Sequence, residues 1–334
     1  MFPKKRIFPI CLILIFVAIM ICLPFMTSGY MLRVLNTTMI TYLCVLSIFI
    51  IFGMCGQISF AQAGFWGVGA YITAITTTKL GMKPIEALIL AILGTALMAL
   101  IIGLILFRLK GHYFGFSTIG IVIILNGLFE NWTSVTGGAD GIANIPSFGI
   151  GSMIVSSEKS NYFFILIIVL IISAITLLIR HSSLGRSFMA IRDNEIAAKC
   201  MGINSFATKN IAFVVGAMFC GISGALFAFL TGYISATSFT FPQSSMYLVM
   251  LMVGGYSSII GAAIGSGLLM LLPEWIRPLQ NYMMLIFGAG VVVLMVVLPD
   301  GLYGGIKKLY EKLGGGKKIY ERLTRSKQRN NVHR

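Results

Sequence analysis

Acidic side chains are scarce in this 334-residue chain. Ten Asp and Glu stand against 25 Lys and Arg, and charged residues of both signs make up only 10%. Soluble domains carry roughly 25%. With 57% hydrophobic residues and a mean hydropathy of +0.94, the chain cannot cover a globule with a wetted surface, so lipid must be part of its solvent. Signatures of covalent chemistry are missing too. No G-x-x-x-x-G-K-[ST] occurs, and Gly314-Gly315-Gly316-Lys317 lacks both the spacing and the Ser or Thr, so no nucleotide-binding P-loop is expected. The three His (His112, His181, His333) are far apart, without metal-ligand spacing. The six Cys lie in or beside apolar segments without a C-x-x-C, which argues against disulfides and structural zinc. No Ser/His/Asp set stands out. The expectation is a chain with no catalytic residue, no metal and no cofactor of its own.

Long apolar runs are what the chain has in place of these. A bilayer-crossing helix needs roughly 20 mostly apolar residues, and candidates fall near 7–26, 35–53, 58–78, 85–107, 113–131, 161–179, 210–231, 244–272 and 281–298. The first follows Lys4, Lys5 and Arg6 but is too long for a signal-peptide core and lacks an A-x-A-like site, so it reads as a retained helix.

The net charge of +15 would suggest nucleic acid in a soluble protein. Here its placement suggests topology. Four regions hold +16: the N-terminus, the link 108–112 (Arg108, Lys110), the loop 180–209 and the tail 303–334; the remainder holds −1. The positive-inside rule puts all four in the cytoplasm. Parity then demands an even number of crossings between loop 180–209 and the tail, where three apolar blocks are found. The block 244–272 is over-long and contains the turn formers Gly254-Gly255-Tyr256-Ser257-Ser258. It is expected to break into short antiparallel segments, 244–254 and 259–272. The fold class is therefore all-α: a polytopic membrane bundle of about ten hydrophobic segments, some of them short broken helices, with both termini cytoplasmic. Residues 1–302 form the transmembrane domain and 303–334 a basic cytoplasmic tail. Short broken helices are tolerated at membrane depth only inside protein or beside a water-filled cavity.

Small and polar residues mark special faces. Ala212, Gly216, Cys220, Gly224, Ala228 and Gly232 recur every fourth position, a face on which another backbone can come close, and Gly261 and Gly265 repeat the device. The segment GQISFAQAGFWGVGAYITAIT sets Gln57, Ser59 and Gln62 among Gly56, Gly64, Gly67 and Gly69. Amides in hydrocarbon need partners, and this many glycines weaken a helix; a kinked or interrupted helix beside a translocation cavity is expected. Asn126, Glu130 and Asn131 give the fifth segment a polar side. Loop 180–209 is amphipathic, with Ile191, Ile196 and Met201 about five apart, and reads as a short cytoplasmic helix C-capped by Gly202. Such a helix needs something to pack against, a partner or the lipid surface.

Glu195-Ile196-Ala197-Ala198, with Gly202 following, resembles the E-A-A-x-x-x-G motif of ATP-binding-cassette importer permeases, with one residue inserted. GQISFAQAGFWGVGAY (56–71), NWTSVTGGADGI (131–142), SSLGRSFMAIRDNEIAAKCMGIN (182–204) and LVMLMVGGYSSIIGAAIG (248–265) together resemble the LivM-type permease of branched-chain amino acid importers. Ala139 stands where that family commonly has proline, and Tyr256-Ser257 follows the Gly pair without a further glycine. The resemblance implies a multi-pass bacterial inner (plasma) membrane subunit that works with a homologous LivH-type permease, two ATPase subunits and an extracytoplasmic substrate-binding protein. ATP and Mg would sit on the ATPase partners, and no nucleic acid is implied. It also implies that Arg192, Asp193 and Glu195 make polar contacts at the ATPase interface, while Ala197, Ala198 and Gly202 allow close approach. Gln57, Ser59, Gln62 and Asn126 are candidates for lining the path of a zwitterion, which needs polar partners for both charges. Gly216, Cys220, Gly224, Gly261 and Gly265 read as helix packing. Alternatives stay open: a urea or short-amide permease, a stand-alone channel or secondary transporter, or a scaffold whose tail binds anionic lipid or RNA. A secondary transporter would usually carry a coupling-ion carboxylate deep in a span, and none is evident.

Overall fold

The computed structural model describes residues 24, 27–108, 113–150, 153–154, 157–276, 288, 292 and 301–310. Apart from residues 24, 288 and 292, the expected segments 7–26 and 281–298 lie outside the described residues, as do residues 109–112 of the link and the tail beyond 310. The chain divides into two compact units, 1–248 and 249–334.

In the first unit, α1 (Gly29–Ile48) runs directly into a π-helical turn (Phe49–Met54). An irregular stretch follows before α2 (Gln62–Thr78). Then come α3 (Pro84–Leu106), α4 (Tyr113–Asn131), the one-turn α5 (Thr133–Thr136), α6 (Glu158–His181), α7 (Ser183–Asp193), α8 (Glu195–Cys200), α9 (Ser205–Thr231) and the start of α10 (Phe241–Gly254). Local chemistry sets the boundaries. Ser157, Ser182, Asn194 and Asn204 each accept a backbone N–H at the start of α6, α7, α8 and α9. Pro84 opens α3, where its missing N–H costs nothing. Gly232 ends α9 in the left-handed region (φ +67°). Apart from a two-residue antiparallel ladder, β1 (Gly149–Ile150) with β2 (Met153–Ile154), regular structure among the described residues is helical.

Five of the described helical stretches are long and apolar enough to cross a membrane, or six if one bent pair counts as a span. Their burial differs sharply. The most apolar windows of Gly29–Met54 and α9 are 83% and 72% buried, against 22–33% for α3, α4 and α6. The first two form the centre. The other three turn Leu97, Ile101, Ile105, Ile123, Ile124 and Leu178 outward, apolar surface that suits lipid and not water. The centre is close-packed because glycine removes side chains where backbones cross. A Cβ on Gly224 would strike the α2 backbone at Ala70 N (2.7 Å) and Gly69 C (3.1 Å), and one on Gly216 would meet Ile51. Cys220, between them on the same face, is fully buried.

Contacts sort the first unit's connections onto two ends. Lys79 Nζ donates to the carbonyls of Ser134 and Val135, and Ile142 pairs with Ile234. At the opposite end, Arg192 bonds Gly53, and a shared cavity joins Gly56–Ile58 and Phe60, Phe107 and Arg108, Phe114–Phe116, and residues between Glu195 and Lys209.

The second unit contains the rest of α10, α11 (Ile259–Ile276) and α12 (Gly301–Tyr310). Helix α10 ends at Gly254 and α11 begins at Ile259, with a bend of 119° between them, so the expected break in 244–272 falls on Gly255–Ser258 and turns obliquely. Glycines again permit the fold. A Cβ on Gly261 would meet Gly255 O (2.5 Å), and one on Gly265 would meet Gly254 N (2.9 Å). Gly255 itself has φ +118°.

Candidate functional site

The site begins where the helix that started at Gly29 fails. In the π turn the ladder widens: Cys55 N bonds Ile50 O and Gln57 N reaches back to Ile51 O. Single π turns inside helices often mark functional positions. Gly56 then takes φ +73°, and the chain runs irregularly to Ala61. The interruption expected within 58–78 therefore precedes that helix, and α2 starts at Gln62. Irregular backbone at membrane depth must find its hydrogen bonds within the protein. Ser59 Oγ accepts from Ala61 N (3.3 Å), Thr118 Oγ1 from Phe60 N (3.0 Å) and Ser244 Oγ from Ala63 N (2.9 Å).

A second irregular stretch lies between α9 and α10. Two turns along α4 from Thr118, Asn126 Nδ2 donates to Ala236 O (2.6 Å) and Phe239 O (3.4 Å). Phe239 is fully buried between Trp66, Tyr71 and Phe129, where Gly67 leaves room for its ring. The polar side of α4 thus holds the backbone of both breaks, and the ring of Phe60 meets that of Phe241 where they approach (centroids 5.6 Å).

At the first break a cavity of about 1300 Å³ opens. Gly56, Gln57, Ile58 and Phe60 form one wall, and Phe107, Arg108 and Phe114 a second. Glu195, Lys199 and Lys209 complete it. Three cations and one carboxylate therefore share the space with aromatic and aliphatic surface. Burial raises the Glu195 carboxyl, but bonds from Lys209 (2.7 Å), Ser205 (2.7 Å) and Lys199 (2.9 Å) outweigh it and hold the group at about 2. Lys209 is largely buried, so this pair fastens α8 to the first turn of α9.

Loop 180–209 contains two helices, where one was expected. The break is at Asn194, whose Oδ1 accepts from both Ile196 N and Ala197 N (3.0 Å each) and so starts α8 afresh. The two halves face opposite ways. Helix α7 buries Gly185, Phe188 and Ile191 in the bundle. Helix α8 buries Ala198 but leaves Ala197 exposed, and Ile196 and Met201 are 76% and 83% exposed. Gly202 has φ +82° with nothing near its missing Cβ; it serves the turn that bonds Ile203 N to Ala198 O.

The sequence candidates separate accordingly. Gln57 lines the cavity; Ser59, Gln62 and Asn126 do not. Gln62 is wholly buried, and neither its amide nor the Trp66 indole N–H one turn later finds a protein partner. Glu195 and Gly202 line the cavity, Asp193 pairs with Arg192 (3.2 Å), and Arg192, itself exposed, donates from Nη1 to Gly53 O. Sequence reasoning missed Thr118, Arg108 and Lys209. Each carried a signal, a hydroxyl on the polar side of α4 and two cations flanking apolar runs, but none pointed to the others.

Comparison with known proteins adds an independent line. The family model for the permease component of the branched-chain amino acid transport system matches residues 30–298. The high-affinity branched-chain amino acid transport permease LivM of Salmonella typhimurium is 30% identical over 322 residues, covering 90% of this chain and 75% of the relative, and LivM of Escherichia coli K12 matches equally. LivH of Escherichia coli K12 is 25% identical over 277 residues, covering 76% of this chain and 88% of the relative. No solved structure matches the chain.

Proposed function

Because this chain belongs to the permease-component family of branched-chain amino acid transport systems, we propose that it is a translocating subunit of an ATP-driven importer of branched-chain amino acids in the bacterial cytoplasmic membrane. The observation that carries the reading is similarity to LivM along nine-tenths of the chain. Similarity to LivH as well favours a second, homologous permease beside it. A substrate-binding protein would deliver cargo from outside. Two ATPase subunits, holding ATP and Mg, would act from the cytoplasm.

The geometry suits this division of labour. Loop 180–209, one of the basic regions, lies at the same end as the cavity, so that end is cytoplasmic on the positive-inside rule. Exposed Ile196 on α8 and Met201 at its C-cap form the apolar centre of an ATPase-docking face, fringed by Lys199. The cavity is the cytoplasmic vestibule of the path. Its aromatic and aliphatic walls suit a branched side chain, its cations the carboxylate, and Gln57 stands at its break. Ser59 and Asn126 support the path's irregular walls. The apolar faces of α3, α4 and α6 meet lipid.

Vesicles containing this chain with its partner subunits test the reading through ATP-dependent uptake of leucine against urea. Leucine uptake that requires both ATP and the binding protein is expected. Transport of urea alone would move the chain to the short-amide permeases, and uptake without ATP would refute the ATP-driven reading.

A further inference from the structure

Resting on the permease role proposed above, we infer that Arg192, although exposed on its outer side, acts as a strut that carries motion of the cytoplasmic loop into the interrupted helix, and not as a contact of the ATPase. The carbonyl of Gly53 loses its ordinary helical donor because Gln57 N is drawn back to Ile51 O. Arg192 Nη1 replaces that donor at 2.7 Å, 139 residues away along the chain. A cation at the carbonyl end of a helix is also favoured by the helix dipole.

The approach involves backbone as well as side chain. A Cβ on Gly56 would lie 2.9 Å from Arg192 Cγ and 3.2 Å from Arg192 Cα, and Gly56 has φ +73°. Glycine therefore serves there twice, for the left-handed turn and for the seat of α7. Helix α7 is firmly held on its inner side. Phe188 and Ile191 are buried, and a Cβ on Gly185 would strike Arg180 O at 2.7 Å. The loop thus has an inner half, α7, seated on the break, and an outer half, α8 with its C-cap, on which Ile196 and Met201 are exposed. Gly56 and Gln57 are cavity wall. A displacement of α7 must move Arg192, the Gly53–Gly56 corner and that wall together.

A guanidinium suits this task because it serves two partners at once. Nε and Nη2 hold Asp193 Oδ1 (3.2 Å each) while Nη1 holds Gly53. Lysine has no such fork.

The test uses the complete importer, with partner permease, ATPases and binding protein, in vesicles, and reads substrate taken up per ATP hydrolysed. Arg192→Ala should keep ATP hydrolysis but lower uptake per ATP by about tenfold, the equivalent of one charge-assisted hydrogen bond. Arg192→Lys should fall between, and Gly56→Ala should match Arg192→Ala. Arg186→Ala removes the same charge from the same helix, where among the described residues its side chain bonds only the nearby His181 carbonyl, and should leave the ratio unchanged. An unchanged ratio in Arg192→Ala would overturn the strut while wild-type uptake upholds the permease. Loss of ATP hydrolysis and of ATPase co-purification in Arg192→Lys would also overturn it, by placing the residue at the ATPase surface. Should Arg192→Ala fail to assemble, the Lys and Gly56 variants decide. Wild-type vesicles that hydrolyse ATP without taking up amino acid would refute the permease reading and the strut with it.

Discussion

Glu195 shows how little of a residue's task its position in a motif reveals. Its motif suggests a contact for a partner, yet its carboxylate is occupied at home by Lys199, Ser205 and Lys209. Removing it strands the largely buried Lys209 ammonium. Glu195→Gln should cost about 1–2 kcal/mol, less than a fully buried pair because Glu195 stays partly in water. The pH dependence has a definite sign. The folded carboxyl sits at about 2, below the roughly 4.3 of an unfolded Glu, so the stabilisation is complete above about pH 5 and fades as the pH falls towards 2. Melting temperatures in detergent should show a constant wild-type advantage over Glu195→Gln between about pH 5 and 8, shrinking below about pH 4. A gap that persists at about pH 2 would assign the effect to packing. Gly56 and Gly202 both lie within the strings that resemble the family. Their shared positive φ was legible as a turn requirement at Gly202 only, because Gly56 owes part of its need to Arg192, a neighbour no local pattern announces.

Helix α9 was the most legible element and the interrupted helix the least. A small residue every fourth position says that some backbone comes close, and Gly224 against Gly69 and Ala70 is that approach. Gly224→Ala sets a methyl against main chain that cannot rotate away. It should cost about 1–3 kcal/mol, read as a lower melting temperature of the purified chain, while Gly120→Ala on α4, where the missing Cβ meets nothing, should be neutral or stabilising. Equal effects at the two sites would show that helix propensity, and not the crossing, sets the cost. The failure of the helix after Met54 was half legible. Gln57, Ser59 and the glycines announced weakness, but hydropathy cannot say whether a helix kinks, ends or widens into a π turn. That outcome depends on which donors reach the freed carbonyls, and those donors come from α4, α7 and α10. Loop 180–209 was read as one helix for a related reason: Asn194 is an ordinary polar residue until its side chain turns back to start α8.

Across the whole molecule, the charge distribution and the contacts give the same arrangement of the first unit. Connections assigned by parity to one side bond one another at one end, and the Gly53–Gly56 corner, the start of α4 and loop 180–209 meet at the other. A single cysteine placed at Ser134 should react with a membrane-impermeant thiol reagent from outside, and one at Ser187 only from the cytoplasm. Labelling of both from one side would break the topology. Each expected segment from 35–53 to 259–272 overlaps a helix, and the over-long block broke where its turn formers lie.

Hydropathy, turn formers and glycine spacing were enough to read a helical chain with several helices apolar enough to cross a membrane, the break in its over-long block and its motif-bearing loop, because each reflects transfer from water or local backbone geometry and acts residue by residue. Which helices form the centre, where the helix after Gly29 gives way, and what Arg192 holds were settled only by packing. Those depend on partners more than a hundred residues apart, and the hydrogen bonds that close a break in the membrane exist only once α1, α4, α7 and α10 have come together.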